Sequence, residues 1–372
     1  MTSDPPLLFV PVGANEARPF GMGSRERACR LATNAGLECA EQPEPGRAML
    51  LASMRYAWDP AWLKLMRDRP GAMLTLGDEP VMVHVPVNGN LAAAAAGLED
   101  NQAVQGYEAL PAETAELSYA ALRKRERPFV MLLDPDNAEP VERAAYDAAY
   151  KGVTDALTLY LWRKPAFYLT RWAAQAGIAP NAVTTVGAIL CVLAFFLFWR
   201  GEYWLGVLSG FAFMVLDTVD GKLARVTGAS SKWGEVFDHG IDLVHPPFWY
   251  WAWEHGLAAI GRPLEPVVAT MVLWAIVGGY VAQRIIEGIF IKRLKMEIHV
   301  WRPVDSKFRL ITARRNPNMV ILVAALLFRR PDLGLELVAW WTLASLIFHA
   351  VRLAQAREQT ARGKKLVSWL EG

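Results

Sequence analysis

Beyond residue 180 the chain is organised around six long apolar runs: Asn181–Trp199, Tyr203–Leu216, Leu243–Trp253, Pro266–Ala282, Met319–Phe328 and Leu333–Val351. A helix needs about 20 apolar residues to cross a hydrocarbon layer of ~30 Å. The first and last runs approach that length unaided. The second and third reach it if their helices continue through the polar stretch between them. The fourth extends through Gln283 to Ile291, and the fifth needs its flanks. A buried helical bundle in a soluble protein is the competing reading. Six successive runs with Trp at many of their ends match membrane–water boundaries better. The expectation is an α-helical integral membrane core with six transmembrane helices. Composition agrees, since 53% of the 372 residues are hydrophobic and 15 are Trp.

Loop charges then orient the spans. The connections after spans two and four carry Lys222, Arg225, Lys232 and a longer series from Lys292 to Arg315. Those after spans one, three and five carry only Arg200, Arg262, Arg329 and Arg330. Cationic loops stay cytoplasmic, so the first set is expected inside, with both termini on the same side. A basic tail (359–372) containing Arg362, Lys364 and Lys365 agrees.

The first 148 residues read differently. Short apolar runs at 7–12, 48–53, 72–77, 80–87 and 129–133 have strand character. Helix-like segments at 24–36 and 60–70 lie between them. That alternation predicts a soluble α/β unit with a largely parallel sheet. LAAAAAGLED and ALPAETAELSYAALRKRER read as surface helices. Residues 149–178, which mix Leu, Trp and Tyr with Arg163, Lys164 and Arg171, read as a linker and a helix in the membrane interface. The membrane unit is then 179–358. The N-terminus has no basic region ahead of an apolar stretch, so no signal peptide is expected. Cys29, Cys39 and Cys191 show no CxxC spacing, which argues against a disulfide framework or zinc site. The net charge of +2 and the lack of a basic tract with interleaved aromatics exclude nucleic acid as a partner.

The chemistry concentrates in LDTVDGKLARVTGASSKWGEVFDHGID, residues 216–242, where four aspartates lie between two apolar runs. A carboxylate in hydrocarbon costs roughly 2.5–3.5 kcal/mol even on the mildest scale. Asp217 and Asp220 are three apart, Asp238 and Asp242 four apart, so each pair shares a helix face. If the two helices are neighbours joined by a short loop at 228–231, all four converge at the cytoplasmic end. Hard divalent cations relieve the repulsion, and oxygen-only ligands favour Mg²⁺, Mn²⁺ or Ca²⁺ over zinc. Gly221, Ala224 and Gly234 leave room beside the helices, and Arg225 offers a bidentate partner for phosphate.

Asp217-Thr-Val-Asp220-Gly221-Lys-Leu-Ala224-Arg225, eight residues, Gly234, three residues, Asp238, three residues, Asp242 reproduces D-x2-D-G-x2-A-R-x8-G-x3-D-x3-D without departure. In this the chain resembles the CDP-alcohol phosphotransferase family of integral membrane enzymes over about residues 150–355. Pro180-Asn181-Ala-Val183-Thr184 is similar to the segment that opens that family's first span. The resemblance implies transfer of a phosphoryl-alcohol group from a CDP-linked lipid or alcohol donor to an acceptor hydroxyl, releasing CMP in phospholipid synthesis. It implies that Asp217, Asp220, Asp238 and Asp242 hold one or two Mg²⁺ or Mn²⁺ ions. Asp242 would also be the catalytic base, and Asp217, Gly221, Ala224, Arg225 and Gly234 the CDP site. It further implies a bacterial or archaeal cytoplasmic membrane and the possibility of a homodimer.

The acceptor is left open by the residues. Arg284, Arg309, Arg314 and Arg315 would make a phosphate pocket, as in members that use a polyol phosphate such as inositol phosphate. Positive-inside topology and anionic-lipid contact explain the same arginines equally well. A soluble CDP-alcohol donor with a lipid acceptor is the alternative within the family. Outside it stand a transporter or metal-binding membrane protein, and a scaffold whose front unit docks partners. The front unit resembles the nucleotidyltransferase-like domains fused ahead of some inositol-phosphate members. Its GMGSR comes late after the first strand, and Ser53 and Met54 stand where an acidic metal pair is needed, so a degenerate copy is expected, with an active synthase of the CDP-alcohol, making the chain bifunctional, as the alternative. His239 and His245 flank the aspartates and are read as packing or solvent-facing. The aromatics of PPFWYWAW are expected in an outer interfacial belt, with Pro246-Pro247 kinking span three.

Overall fold

The computed structural model describes residues 7–371 apart from Glu116, Ala120, Ala121 and Ser231. The first six residues, part of the leader reading, and Ser231 of the expected 228–231 loop lie outside the described residues. The front part builds a six-stranded sheet in the order β2-β1-β3-β6-β5-β7. Its strands are β1 (Leu8–Val12), β2 (Glu38–Cys39), β3 (Met49–Ser53), β5 (Ala72–Leu76), β6 (Glu79–Val85) and β7 (Glu108–Pro111). β1 runs parallel to β2 and β3, and β5 parallel to β7. β6 is antiparallel to both of its neighbours, because the tight turn at Gly77-Asp78 folds it back on β5. The alternation of strand side chains fills two cores. Phe9, Leu50 and Met82 face α1 (Ser24–Asn34) and α2 (Ala61–Arg67); Leu8, Val10, Leu51 and Val83 face α3 (Leu91–Asp100). The layers are α/β/α.

Three expectations change here. The run at 129–133 forms β10 (Val130–Leu132), but it pairs antiparallel with β4 (Tyr56–Trp58) outside the main sheet. Among its described residues, the segment at 109–127 forms no α-helix. It supplies β7 and the antiparallel pair β8 (Leu117–Tyr119) and β9 (Lys124–Glu126). Helix-forming Ala, Glu and Leu lose there to tertiary contacts, a common outcome for weak local propensity. Gly152 N–H donates to Leu122 O at 2.8 Å, and Lys124 Nζ donates to Ala148 O at 2.5 Å. Cys29 and Cys39 form a disulfide with their Cα atoms 5.5 Å apart, because α1 ends between them and β2 returns alongside it. The absence of a CxxC pattern was no guide to that spatial pairing.

The helical half follows α4 (Glu139–Ala148), a π-helical turn at Leu157–Leu161 and α5 (Arg163–Gln175). Among the described residues, four helices are long and apolar enough to cross a membrane: α6 (Pro180–Trp199), α7 (Tyr203–Thr227), α9 (Pro266–Leu294) and α12 (Pro331–Ala361). Between a fifth and a half of each apolar window is buried within the protein, and the rest faces outward, as lipid contact requires. α8 (Lys232–Ala259) is long but polar at its start. α11 (Arg315–Leu327) is apolar but has only 13 residues, and α10 (Pro303–Arg309) precedes it. α8 runs through Pro246 and Pro247. Pro247 cannot donate to Leu243 O, and Tyr280 Oη donates to that carbonyl instead at 2.9 Å.

The expected aromatic belt is only partly outside. Trp249, Tyr250 and Trp253 are buried in the membrane core, where Trp249 Nε1 donates to Cys191 O and Trp253 Nε1 to Pro331 O. Helical period puts these three on one face of α8, leaving Phe248 and Trp251 exposed. Close packing is strict at Gly256, where an added Cβ would lie 2.0 Å from Phe198 O.

Candidate active site

α7 and α8 are consecutive antiparallel neighbours, and their facing ends carry the aspartates. α7 stops at Gly228 in a left-handed conformation, φ +67°, with its N–H returning to Ala224 O. Glycine is needed there twice over, since a Cβ would also come 2.9 Å from Arg30 Cβ on α1. The front unit grips this corner. Arg27 Nε donates to Val226 O at 3.2 Å, and Asn34 Nδ2 to Gly228 O at 2.8 Å.

Asp217, Asp238 and Asp242 converge, each offering a carboxylate oxygen within 4.8 Å of the others. Asp220 does not join them. Its Oδ2 accepts from Thr184 Oγ1 on α6 at 2.7 Å, and its Oδ1 accepts from the Gly221 N–H. Arg315, at the start of α11, enters the cluster: Nη1 meets Asp242 Oδ1 and Nη2 meets Asp217 Oδ2, each at 2.5 Å. The guanidinium also lies 4.8 Å from the Phe213 ring centroid. Of the four arginines expected to contact an acceptor phosphate, Arg315 is thus committed to the aspartates.

The other three line the same polar cavity of about 300 Å³ as Asp217, Asp238 and Asp242. Arg284 and Arg314 both pair with Glu287 of α9. Arg309 is only 8% exposed, and its Nε and Nη1 have no hydrogen-bond partner among the described residues. Burial, with the positive charge of Arg314 beside it, pushes its guanidinium down to about 9. A second cavity of about 120 Å³ adjoins the first, sharing Gly221, Arg225 and Asp238, and is also lined by Ala224, Gly234, Asn181 and Thr184. Four of the five residues expected to make the CDP site therefore line this cavity, whereas Asp217 lines the larger one. A Cβ at Gly221 would sit 3.1 Å from Arg225 Nη2.

Sequence reading passed over several partners. Asp155 is buried before the π-helical turn, accepting from Asn316 Nδ2 at 2.9 Å and from Thr158 N at 3.0 Å. Burial alone would raise its carboxyl, but Arg309 and these hydrogen bonds hold it below the usual range. Lys222, seemingly a loop cation, is buried with Nζ 3.9 Å from the Tyr150 ring centroid. His299 lies 3.1 Å from Arg314 Nη2, and burial holds its imidazole well below its usual value, so it stays neutral and accepts from that arginine. Nothing local marks these groups; only a polar residue next to an apolar run hints at each.

The donor set tests the expected metal. Three carboxylates in one 4.8 Å cluster, with no nitrogen or sulfur among them, suit a hard divalent cation. The Arg315 guanidinium shows that the same oxygens accept a cation. The residues fit the group.

A family model described as CDP-alcohol phosphatidyltransferase matches residues 177–351. Cholinephosphotransferase 1 of Gallus gallus is 33% identical over 129 residues, 31% of this chain and 36% of that protein. Archaetidylinositol phosphate synthase of Pyrococcus horikoshii is 26% identical over 50% of this chain and 92% of its own length. The chain spans about a third of the length of the cholinephosphotransferases it matches. The solved Mycobacterium tuberculosis phosphatidylinositol phosphate synthase with CDP-DAG bound aligns with 51% of this chain and 94% of that one. Its 17% identity and TM-score of 0.38 make it a loose likeness. With the complete aspartate signature on two packed helices, the membrane part of this chain, residues 177–351, belongs to the CDP-alcohol phosphatidyltransferase family.

Proposed function

We propose that the chain transfers a phosphoryl-alcohol group from a CDP-linked donor to the hydroxyl of a polyol phosphate such as inositol phosphate, releasing CMP. One observation carries this reading. The aspartate cluster and the arginines Arg284, Arg309 and Arg314 line a single cavity, so a metal-binding end and a phosphate-binding end face one space. The cavity lined by Gly221, Ala224, Arg225 and Gly234 supports a nucleotide seat next to it. The reading includes six spans, with α8 and α11 completing the four longer helices, and a site on the cytoplasmic side. The front α/β unit acts structurally.

Asp217, Asp220 and Asp238 would hold Mg²⁺ or Mn²⁺, with Asp242 contributing. The bound ion would neutralise diphosphate charge and stabilise the departing CMP. Asp220 would join the other aspartates only by turning away from Thr184. Arg225 orients the diphosphate, and Arg284, Arg309 and Arg314 hold the acceptor phosphate so that its hydroxyl faces the donor. Asp242 takes the hydroxyl proton. The acceptor oxygen bonds to the alcohol-bearing phosphorus, the bond from that phosphorus to the bridging oxygen breaks, and CMP leaves with that oxygen. Asp242 is 40% exposed on the cavity, which leaves room for an acceptor to reach it.

A second reading keeps the chemistry but uses a soluble CDP-alcohol and a lipid acceptor. An apolar groove of about 640 Å³ between α6 and α8 favours it, because Ile241 and His245 line that groove beside Asp242. Purified protein with Mg²⁺ or Mn²⁺ and each donor–acceptor pair, followed by CMP release, separates the two. CMP release with CDP-diacylglycerol and inositol phosphate supports the first; release only with a CDP-alcohol and diacylglycerol replaces it with the second.

A further inference from the structure

The polar cavity is not built by the family domain alone. Two of its cations, Arg123 and Lys151, come from segments upstream of residue 177. Arg123 occupies the turn ahead of β9 at φ +50°, a left-handed conformation that arginine adopts rarely and at a cost. The surroundings fix that turn. A Cβ on Gly152 would come 2.7 Å from Arg123 O, and Arg123 Nη1 donates to Val153 O at 3.4 Å. Arg123 Nε also meets Glu297, just beyond α9, at 2.6 Å. The β8–β9 pair is thereby fastened both to the linker at 150–153 and to the loop after α9. Lys151 feels the charges of Arg225 and Asp238, and Arg309 feels that of Arg123, so the upstream cations reach the fields of both ends of the site.

The charge balance asks for a further anion. Among the described lining residues, eight cationic side chains face four carboxylates. Arg284 and Arg314 share Glu287 and Arg123 has Glu297, which leaves Lys151 and Arg309 without an ion pair among the described residues. Arg309 makes the same point locally, being buried with two nitrogens that have no hydrogen-bond partner among the described residues.

We propose that Arg123 and Lys151 are specificity-determining residues that clamp a phosphate monoester at the mouth of this cavity, so that the upstream segments select a phosphorylated substrate. The inference rests on the transfer reading above. Two sources share the chemistry: the phosphate of a soluble polyol phosphate, or a phosphate monoester carried on a lipid.

The test is a binding titration of the full chain in nanodiscs, free of turnover. The probes are inositol 1-phosphate in neutral nanodiscs and, separately, phosphatidic acid incorporated in the nanodisc. Arg123→Gly, which also relaxes the left-handed turn, and Lys151→Gln are each expected to weaken one probe roughly tenfold or more. Lys151→Arg should restore most of that loss. The probe that responds identifies the source. Wild type that binds neither probe, or variants that bind as wild type does, overturns the proposal. A parallel CDP titration keeps the two readings apart: the clamp variants should leave it unchanged, whereas wild type that fails to bind CDP undermines the transfer reading itself. If Arg123→Gly also weakens CDP, its effect is structural and the clamp assignment to Arg123 fails.

Discussion

Replacing Arg315 with Gln isolates the competition between a side-chain cation and a metal ion for the same carboxylates. Arg315 contacts Asp217 and Asp242 at 2.5 Å each and is 13% exposed, as Asp217 is 18%. Removing one partner from a buried ion pair costs about 3–5 kcal/mol, since the carboxylates stay behind unpaired. Asp242 is 40% exposed, so solvent screening brings the figure down to about 2–3 kcal/mol. In thermal unfolding of a chain this long that is a fall of about 3–4 °C. The loss is expected only without divalent ions, because Mg²⁺ neutralises the carboxylates that Arg315 releases. Wild type must displace the guanidinium to bind metal; Arg315→Gln does not. If about 2 kcal/mol of the lost pairing is returned, the variant binds Mg²⁺ roughly thirtyfold more tightly. The assay is unfolding of detergent-solubilised protein across a Mg²⁺ titration, with EDTA as baseline. An equal or smaller Mg²⁺ increment in Arg315→Gln than in wild type refutes the idea that arginine and metal share these oxygens.

Other perturbations read the supporting contacts. Thr184→Val removes the 2.7 Å hydrogen bond to buried Asp220 and should cost about 1–3 kcal/mol of metal-free stability by thermal unfolding. Asp155→Ala strips Asn316 and Thr158 of their acceptor and should destabilise by about 3 kcal/mol. Because the Asp155 carboxyl is held below its ordinary 3.8, its contribution is complete above that value and lost as pH falls through the lower folded-state value. The melting temperature of Asp155→Asn should therefore fall less steeply than that of wild type below about pH 4. Gly228→Ala forces a side chain into φ +67° and against Arg30, and should cost at least ~1 kcal/mol while loosening the front unit's grip, seen as faster proteolysis near residue 228.

Legibility in the sequence followed the range of the interactions. The aspartate pairs were readable because positions three and four apart share a helix face, and the α7–α8 hairpin needed only adjacency. Asp220 turning to Thr184, 36 residues away, and Arg315 reaching Asp217, 98 residues away, depend on how helices cross. No local pattern encodes that. In the front unit the strands with long β-branched or Leu-rich runs were evident, whereas β8 and β9 were hidden in an Ala- and Glu-rich stretch pinned by Gly152. The Cys29–Cys39 pairing was hidden likewise, since it depends on α1 reversing into β2. The aromatic face of α8 shows a different limit: composition placed Trp at the boundary, and helix phase decided which Trp went inside.

Asp242 is the group proposed to take the acceptor's proton, and Asp242→Asn tests that role most directly. The variant keeps the size of the side chain and one acceptor oxygen for Arg315. CMP release is to be measured with saturating Mg²⁺, donor and acceptor, alongside CDP binding. Turnover should fall at least ~100-fold, the usual contribution of a positioned base, with CDP affinity changed less than about tenfold. Turnover within a few-fold of wild type would contradict it.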